Sequence, residues 1–219
     1  MIEQVNLYKF EEELYDSGKL YIAGCDEAGR GPLAGPVVVA AVILKPNTHI
    51  KGINDSKKLT EKKREELYKI IIKEALCYNI VFVSEKEIDR LNILQATKKG
   101  MMECLLGLEI KPEHALIDAV SLNELPIEHT SIIKGDAKSA SIAAASILAK
   151  VSRDHYMEKM DIKYPNYGFK KHKGYCTKAH IKALEMYGPC KIHRKTFNPV
   201  YKYSVKQLQL DLQFDDDNN

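Results

Sequence analysis

The sequence predicts an α/β chain: a mixed β-sheet flanked by helices, with a small helical or irregular appendage on its C-terminal side. Three observations lead there. Short apolar stretches bounded by turn residues recur at residues 20–25, 36–44, 79–83, 114–117 and 130–133 and read as strands. Segments with apolar residues at i, i+3 and i+4 alternate with the later strands and read as helices. Beyond Tyr164 the chain turns rich in Gly, Lys and Tyr.

The first strand, LYIAGC, runs apolar up to the charges of Asp26 and Glu27. A Gly/Pro loop, EAGRGPLAGP, separates it from the second strand, whose eight-residue core VVVAAVIL carries no polar side chain and reads as buried. Thr60 is placed to cap a helix with Leu67, Ile70 and Ile71 on one side. Ile93, Ala96, Thr97, Gly100, Met101, Cys104, Leu105 and Leu108 form the apolar stripe of the next helix. Residues 139–156 predict a third, whose first half, SASIAAASILA, is small-residued almost all round and so packs on both sides. Residues 1–18 read as an N-terminal lead-in, 19–202 as one domain with 164–202 as its basic, Tyr-rich appendage, and 203–219 as an acidic tail expected to be disordered.

No apolar run is long enough to cross a bilayer, and the polar, acidic N-terminus does not resemble a secretory signal, so a cytoplasmic protein is expected. Five scattered cysteines with no C-x-x-C pair fit reduced thiols, and Cys25 fits apolar packing better than catalysis. The net charge of +3 hides an asymmetry. Residues 211–219 hold four Asp and no base, which leaves 33 basic against 26 acidic residues, or +7, on the rest. From Lys159 to Lys202 there are eleven Lys/Arg against two acids, interleaved with five tyrosines. That mixture suits a nucleic-acid backbone with stacked bases or sugars, and equally suits a solvated basic face.

Adjacent carboxylates at a strand end repel one another and call for compensation, by Arg30 as a salt bridge or by a divalent cation. Asp118 ends the strand HALID, and Asp136 lies in KGDAKS just before the Ala-rich helix. Taken singly, each Asp is more often a cap or a salt bridge. Together, three segments each deliver a carboxylate at the boundary of a buried element, where neighbouring strand ends gather sites. An all-oxygen set selects a hard ion, Mg²⁺ or Mn²⁺, and two such ions clamp a phosphate in hydrolysis. Gly29, Gly31 and Gly35 permit close backbone approach to a ligand, and Arg30 offers a phosphate fork. Lys57, in the polar loop before the Thr60 helix, reads as a substrate contact rather than a catalytic group. Asp154 is expected to pair with Lys150 one helical turn away, Ser146 to be a packed small residue, and His172, His180 and His193 to be surface or phosphate-contacting groups.

The motifs CDEAGRGPLAGPVVVAAVIL, NDSKKLT, NILQAT, KGDAKS with IAAASILAKVSRD, and YPNYGFKKHKGYCTKAH together resemble bacterial ribonuclease HII over about residues 20–200. The resemblance implies a ribonuclease H-like fold and makes 19–202 a type 2 ribonuclease H catalytic domain. It implies Mn²⁺ or Mg²⁺ as cofactor, with two ions at turnover. RNA–DNA hybrids and duplex DNA bearing ribonucleotides are the implied substrates, cut to leave a 5′-phosphate and a 3′-hydroxyl. The family's catalytic and metal-binding acids fall on Asp26, Glu27, Asp118 and Asp136. Its ribonucleotide-contacting G-R-G falls on Gly29, Arg30 and Gly31, and its substrate-sensing tyrosine on Tyr175. Where the family often has Asp-Gly this chain has Asp118-Ala119; Ala resists positive φ, so a different local turn is expected there. A monomer without membrane association is expected, with a clamp-type protein partner for the tail segment QLQLDLQF. The rival readings are a DNA nuclease or resolvase of the same fold, which would not need a 2′-hydroxyl, and a non-catalytic hybrid-binding module, for which four intact carboxylates have no use.

Overall fold

The computed structural model describes residues 6–205. Most of the expected acidic tail, residues 206–219 with the segment QLQLDLQF, lies outside them. The order is α1 (Lys9–Asp16), β1 (Ile22–Ala28), β2 (Val37–Leu44), a 3₁₀ turn at Ser56–Lys58, α2 (Glu61–Glu74), β3 (Ala75–Val83), α3 (Glu85–Leu91), α4 (Ile93–Leu106), β4 (His114–Asp118), β5 (His129–Ile132), a 3₁₀ turn at Gly135–Ala137, α5 (Ala140–Lys163), α6 (Phe169–His172) and α7 (Lys178–Tyr187). The five strands form one mixed sheet, ordered β3-β2-β1-β4-β5. β1 and β2 pair antiparallel, as do β2 and β3, whereas β1, β4 and β5 run parallel.

Alternation along β2 explains the two layers. Val39, Ala41 and Ile43 face one side, where they pack with Met101, Cys104 and Leu105 of α4. Ala40, Val42 and Leu44 face the other, against Leu67 and Ile71 of α2 and the Ala-rich half of α5. With both faces covered, all eight residues of β2 are buried. Gly24 on β1 lets α5 approach closely: a Cβ there would stand 2.0 Å from the Ser141 carbonyl carbon. The α5 N-terminus is capped by Ser139, whose hydroxyl accepts from the Ile142 amide and donates to Glu11 of α1 at 2.6 Å. Glu11 also accepts from the Ser141 amide at 2.8 Å, so a buried carboxylate sits where the helix dipole favours it.

Several local expectations are corrected. β1 does not stop at Cys25; it pairs with β2 through Asp26 and Glu27, opposite Ala40 and Val39, because ladder bonds run on where hydropathy breaks. Ile70 is 41% exposed, so only Leu67 and Ile71 line the inner side of α2. α5 continues to Lys163, and the appendage is more regular than its composition suggests, with α6 and α7 in it. His172, His180 and His193 are not surface groups: they are buried against one another and Phe169. Burial pushes the His180 pKa down to about 4 and that of His193 to about 3, so both are neutral at pH 7. Lys150 and Asp154 pair at 2.7 Å as expected.

The turn after β4 keeps its left-handed geometry without glycine. Ala119 has φ +50° and its amide donates to Ile132 O at 3.0 Å. An L-residue there costs about 1–2 kcal/mol, partly offset by the greater freedom glycine has in the unfolded chain. Ala119→Gly is therefore expected to raise unfolding stability by about 0.5–1 kcal/mol, read as a higher urea midpoint at unchanged slope; a lower midpoint would contradict it.

Candidate active site

The parallel register places Cys25 of β1 beside Ile117 of β4, so the next residues on the two strands, Asp26 and Asp118, are neighbours at the sheet's centre. Asp26 is 3% exposed. Its Oδ1 accepts from the Glu27 amide at 2.7 Å, and Ser146 of α5 lies near enough to favour its ionised form. Ser146 in turn meets Ser56 at 2.8 Å, which ties the Lys57 loop to α5 beside that carboxylate. Asp118 Oδ1 accepts from the Gly135 amide at 2.6 Å. Glycine is required at 135 by that approach, since a Cβ would stand 2.5 Å from Ile142 and 3.2 Å from Asp118 Oδ1. The same turn carries Asp136, 4% exposed, which pairs with Lys57 Nζ at 3.5 Å. Arg30 reaches Glu27 Oε1 at 3.5 Å. The salt bridge and the cation site are thus not alternatives here: Arg30 engages one Glu27 oxygen and leaves the other.

The electrostatics are those of an acidic cluster short of positive charge. Burial, then Glu27 and Asp118, push the Asp26 carboxyl well above the usual carboxylate range. Burial raises Glu27 too, with Arg30 opposing and Asp118 adding to the rise. Asp136 is raised by burial and by Asp55 and Asp118, against the pull of Lys57. At Lys57 burial works against the ammonium, but Asp136, Asp26 and Asp55 outweigh it and its pKa rises. Among the described residues, no three His, Cys, Asp or Glu side chains stand close enough together to enclose an ion. Glu27 Oε2 is nevertheless buried without a hydrogen-bond partner, and Asp136 Oδ2, equally buried, has only the Lys57 ammonium at 3.5 Å. Under-bonded, hard carboxylate oxygens within a group of interacting acids suit Mg²⁺ or Mn²⁺.

The glycine loop borders this cluster. Gly29 has φ +98°, and a Cβ there would lie 2.0 Å from Arg153 Nε, so neither its conformation nor its space tolerates a side chain. Arg30 and Gly31 are exposed. Tyr175, 46% exposed, faces Gly31: a Cβ at Gly31 would meet its ring at 3.7 Å. All nine residues singled out from sequence therefore fall in two adjoining groups, one of acids with Lys57 and one of Gly29, Arg30, Gly31 and Tyr175. Sequence reasoning missed Asp55, which acts on Asp136, and treated Ser146 only as packing, although it bonds Ser56 of the Lys57 loop. It also passed over Arg153 and Arg194, the largest fully buried side chains. Their signal was an Arg in each of two otherwise ordinary stretches, VSRDHY and KIHRKTF, which nothing in the pattern set apart.

Comparison with known proteins bears on the family and the fold. The family model for ribonuclease HII matches residues 23–200. Ribonuclease HII of Clostridioides difficile (strain 630) is 54% identical over 196 residues, 90% of this chain and 76% of that protein. Among solved structures, ribonuclease H2 from Pyrococcus horikoshii OT3 superposes with a TM-score of 0.74 at 28% identity, covering 85% of this chain and 98% of that one. The PCNA:RNase HII complex from Archaeoglobus fulgidus gives 0.71 at 29% identity, with 82% and 96% coverage. The mixed sheet is thus the ribonuclease H-like sheet, and by sequence match along nearly its whole described length the chain belongs to the ribonuclease HII family.

Proposed function

We propose that this chain hydrolyses the RNA strand of RNA–DNA hybrids and incises duplex DNA on the 5′ side of embedded ribonucleotides, with Asp26, Glu27, Asp118 and Asp136 as its catalytic carboxylates. Membership of the ribonuclease HII family carries the ribonuclease H activity itself. The observation that carries the residue assignment is a buried acidic group with under-bonded oxygens, Glu27 Oε2 without a partner and Asp136 Oδ2 with Lys57 alone, beside the loop of Gly29, Arg30 and Gly31. Asp26, Glu27 and Asp118 would hold Mn²⁺ or Mg²⁺, with Asp136 completing the site or ordering water. Such ions, two at turnover, supply an acidified water and neutralise charge on the phosphate and the departing 3′-oxygen. The remaining work belongs to the chain. Asp26 is held by the Glu27 amide and Asp118 by the Gly135 amide, so both keep their orientation through the reaction. Arg30 and the exposed loop amides hold the ribonucleotide, and Tyr175 stacks on its sugar. Lys57 is 81% exposed at its side chain while anchored to Asp136, within reach of a phosphate as well. The 2′-hydroxyl is the group that separates RNA from DNA at one nucleotide, so amide donors beside an aromatic ring form a suitable reader.

Among the described residues no helix is long and apolar enough to cross a membrane. We place the protein in the cytoplasm as a monomer. An archaeal relative was solved as a complex with PCNA; by analogy QLQLDLQF, with its spaced Leu and Phe, is the segment to offer a clamp-type partner.

The substrate reading is tested by mapping cuts on an end-labelled duplex with one ribonucleotide, in Mg²⁺ and then Mn²⁺. One incision 5′ of the ribonucleotide, with 5′-phosphate and 3′-hydroxyl ends and no cut in the all-DNA duplex, is expected. Equal cutting of the all-DNA duplex would favour a DNA nuclease or resolvase, and binding without cutting would favour a non-catalytic module.

A further inference from the structure

Arg153 of α5 and Arg194 are 1% and 0% exposed, yet among the described residues every hydrogen bond they donate ends on a backbone carbonyl. Arg194 donates to Gly35 O at 2.9 Å, Arg30 O at 2.8 Å and Gly29 O at 2.6 Å. Arg153 donates to Pro36 O and Ala34 O, both at 3.0 Å, and to Lys173 O at 2.9 Å. Five of the six carbonyls belong to the loop between β1 and β2, and the sixth lies two residues before Tyr175. Burying a guanidinium without a bonded carboxylate is costly, and a loop that only needed filling behind it would be served by apolar side chains. Burial and the neighbouring Arg153 push the Arg194 pKa down to about 9, which still leaves it charged at neutral pH.

The direction of these bonds has a consequence for the opposite side of the loop. In a trans peptide the C=O and the following N–H point to opposite sides. With Gly29 O and Arg30 O drawn inward to Arg194, the amides of Arg30 and Gly31 face away from it, at residues that are exposed. The Leu33 amide donates to Gly174 O at 2.8 Å and the Arg194 amide to Leu33 O at 2.9 Å, so the loop, the Tyr175 segment and the Arg194 segment are joined. His180 Nδ1 contacts Tyr175 O at 2.9 Å from below, holding the ring's backbone in the same unit.

We propose that Arg194 is a positioning residue for ribonucleotide recognition: it holds the carbonyls of Gly29, Arg30 and Gly35 so that the Arg30 and Gly31 amides stay turned out beside Tyr175 as ready donors to the ribose. This rests on the reading of that loop as the ribose site. A lysine keeps the charge but lacks the planar fork that reaches three carbonyls at once. The test compares the full-length protein with R194K, without divalent ion so that nothing is cut. Affinity is measured for a duplex with one ribonucleotide and for the same duplex in all-DNA form. Wild type is expected to prefer the ribonucleotide duplex, and R194K to lose about tenfold or most of that preference, with all-DNA affinity unchanged. A folded R194K with the wild-type preference, or with both affinities weakened alike, overturns the proposal. A wild type without any preference would instead sink the ribose-site reading beneath it. If R194K does not fold, the Arg194 Nε–H signal of ¹⁵N-labelled wild type decides. A shift with the ribonucleotide duplex alone supports the proposal, and no shift or equal shifts with both duplexes overturn it.

Discussion

Asp26→Asn is expected to lower the cleavage rate on a single-ribonucleotide duplex by about 10³-fold or more, and at the same time to stabilise the metal-free protein. The first effect follows from removing one anionic ligand from a site where bound cations contribute several kcal/mol to the barrier, each 1.36 kcal/mol being tenfold. The second follows from the burial of Asp26 next to Glu27 and Asp118, which raises its pKa well above the ordinary value. The folded protein then holds that proton more tightly than the unfolded chain does. Stability is therefore lost as pH rises from the unfolded carboxylate pKa, about 3.9, through the raised folded value. Asparagine, neutral at all pH, is free of this penalty, so the gain in melting temperature should be present at pH 7 and vanish below about pH 4, where Asp26 is protonated in both states. Rate and melting curves in the same buffers check both halves. Near wild-type cleavage in Mn²⁺ would remove Asp26 from the site, and a lower melting temperature at pH 7 would remove the charge-repulsion account.

Gly24→Ala is expected to be the most damaging single methyl group in the fold. The added Cβ would stand 2.0 Å from Ser141 C, 2.1 Å from Ser141 O and 2.5 Å from Ile142 N, all of them backbone atoms. β1 cannot move aside, because Gly24 is paired with Val42 on one side and Leu116 on the other. Helix α5 must retreat instead, loosening the Ser139 cap and the Glu11 contact and drawing Ser146 away from Ser56. Overpacking of this kind costs about 3 kcal/mol or more, which for a chain of this size is a fall of roughly 6–12 °C in melting temperature. A variant that melts within a degree or two of wild type would show that α5 does not rest on β1 as described.

Much of this arrangement was legible in the sequence, and its gaps have physical causes. All five strands could be located, but only β1, β2 and β4 bury a continuous apolar run; β3, read as 79–83, begins at Ala75, and β5 buries only Ile132. The Ala-rich first half of α5 could be read as packed on both sides because its side chains are small. β1 was read two to three residues short, since hydropathy marks the end of the apolar side chains and not the end of the ladder. The short α1 and α3 offered too few turns for a period to show, although Ser84 does cap α3 through the Glu87 amide. The three histidines looked like surface groups because imidazole is amphipathic and its burial depends on how α6, α7 and the His193 segment pack together, His180 on His193 and Phe169 on both. Ala119 was expected to alter its turn and does not; the tertiary bond to Ile132 O holds it at positive φ against its preference. The four acids of the site were legible because carboxylates at the ends of buried segments are conspicuous. Arg194 was not, because its partners are carbonyls, which every residue possesses.

The buried acids are expected to form a site for divalent cations that runs the reaction. The direct measurement is Mn²⁺ bound per chain, from the free-ion electron paramagnetic resonance signal, for wild type and D26N with an uncleavable duplex present. Because metal and proton compete for the same raised carboxyls, saturable binding that tightens as pH rises is expected for wild type, with loss of at least one ion in D26N. Equal binding by the two proteins, or binding indifferent to pH, would contradict the account.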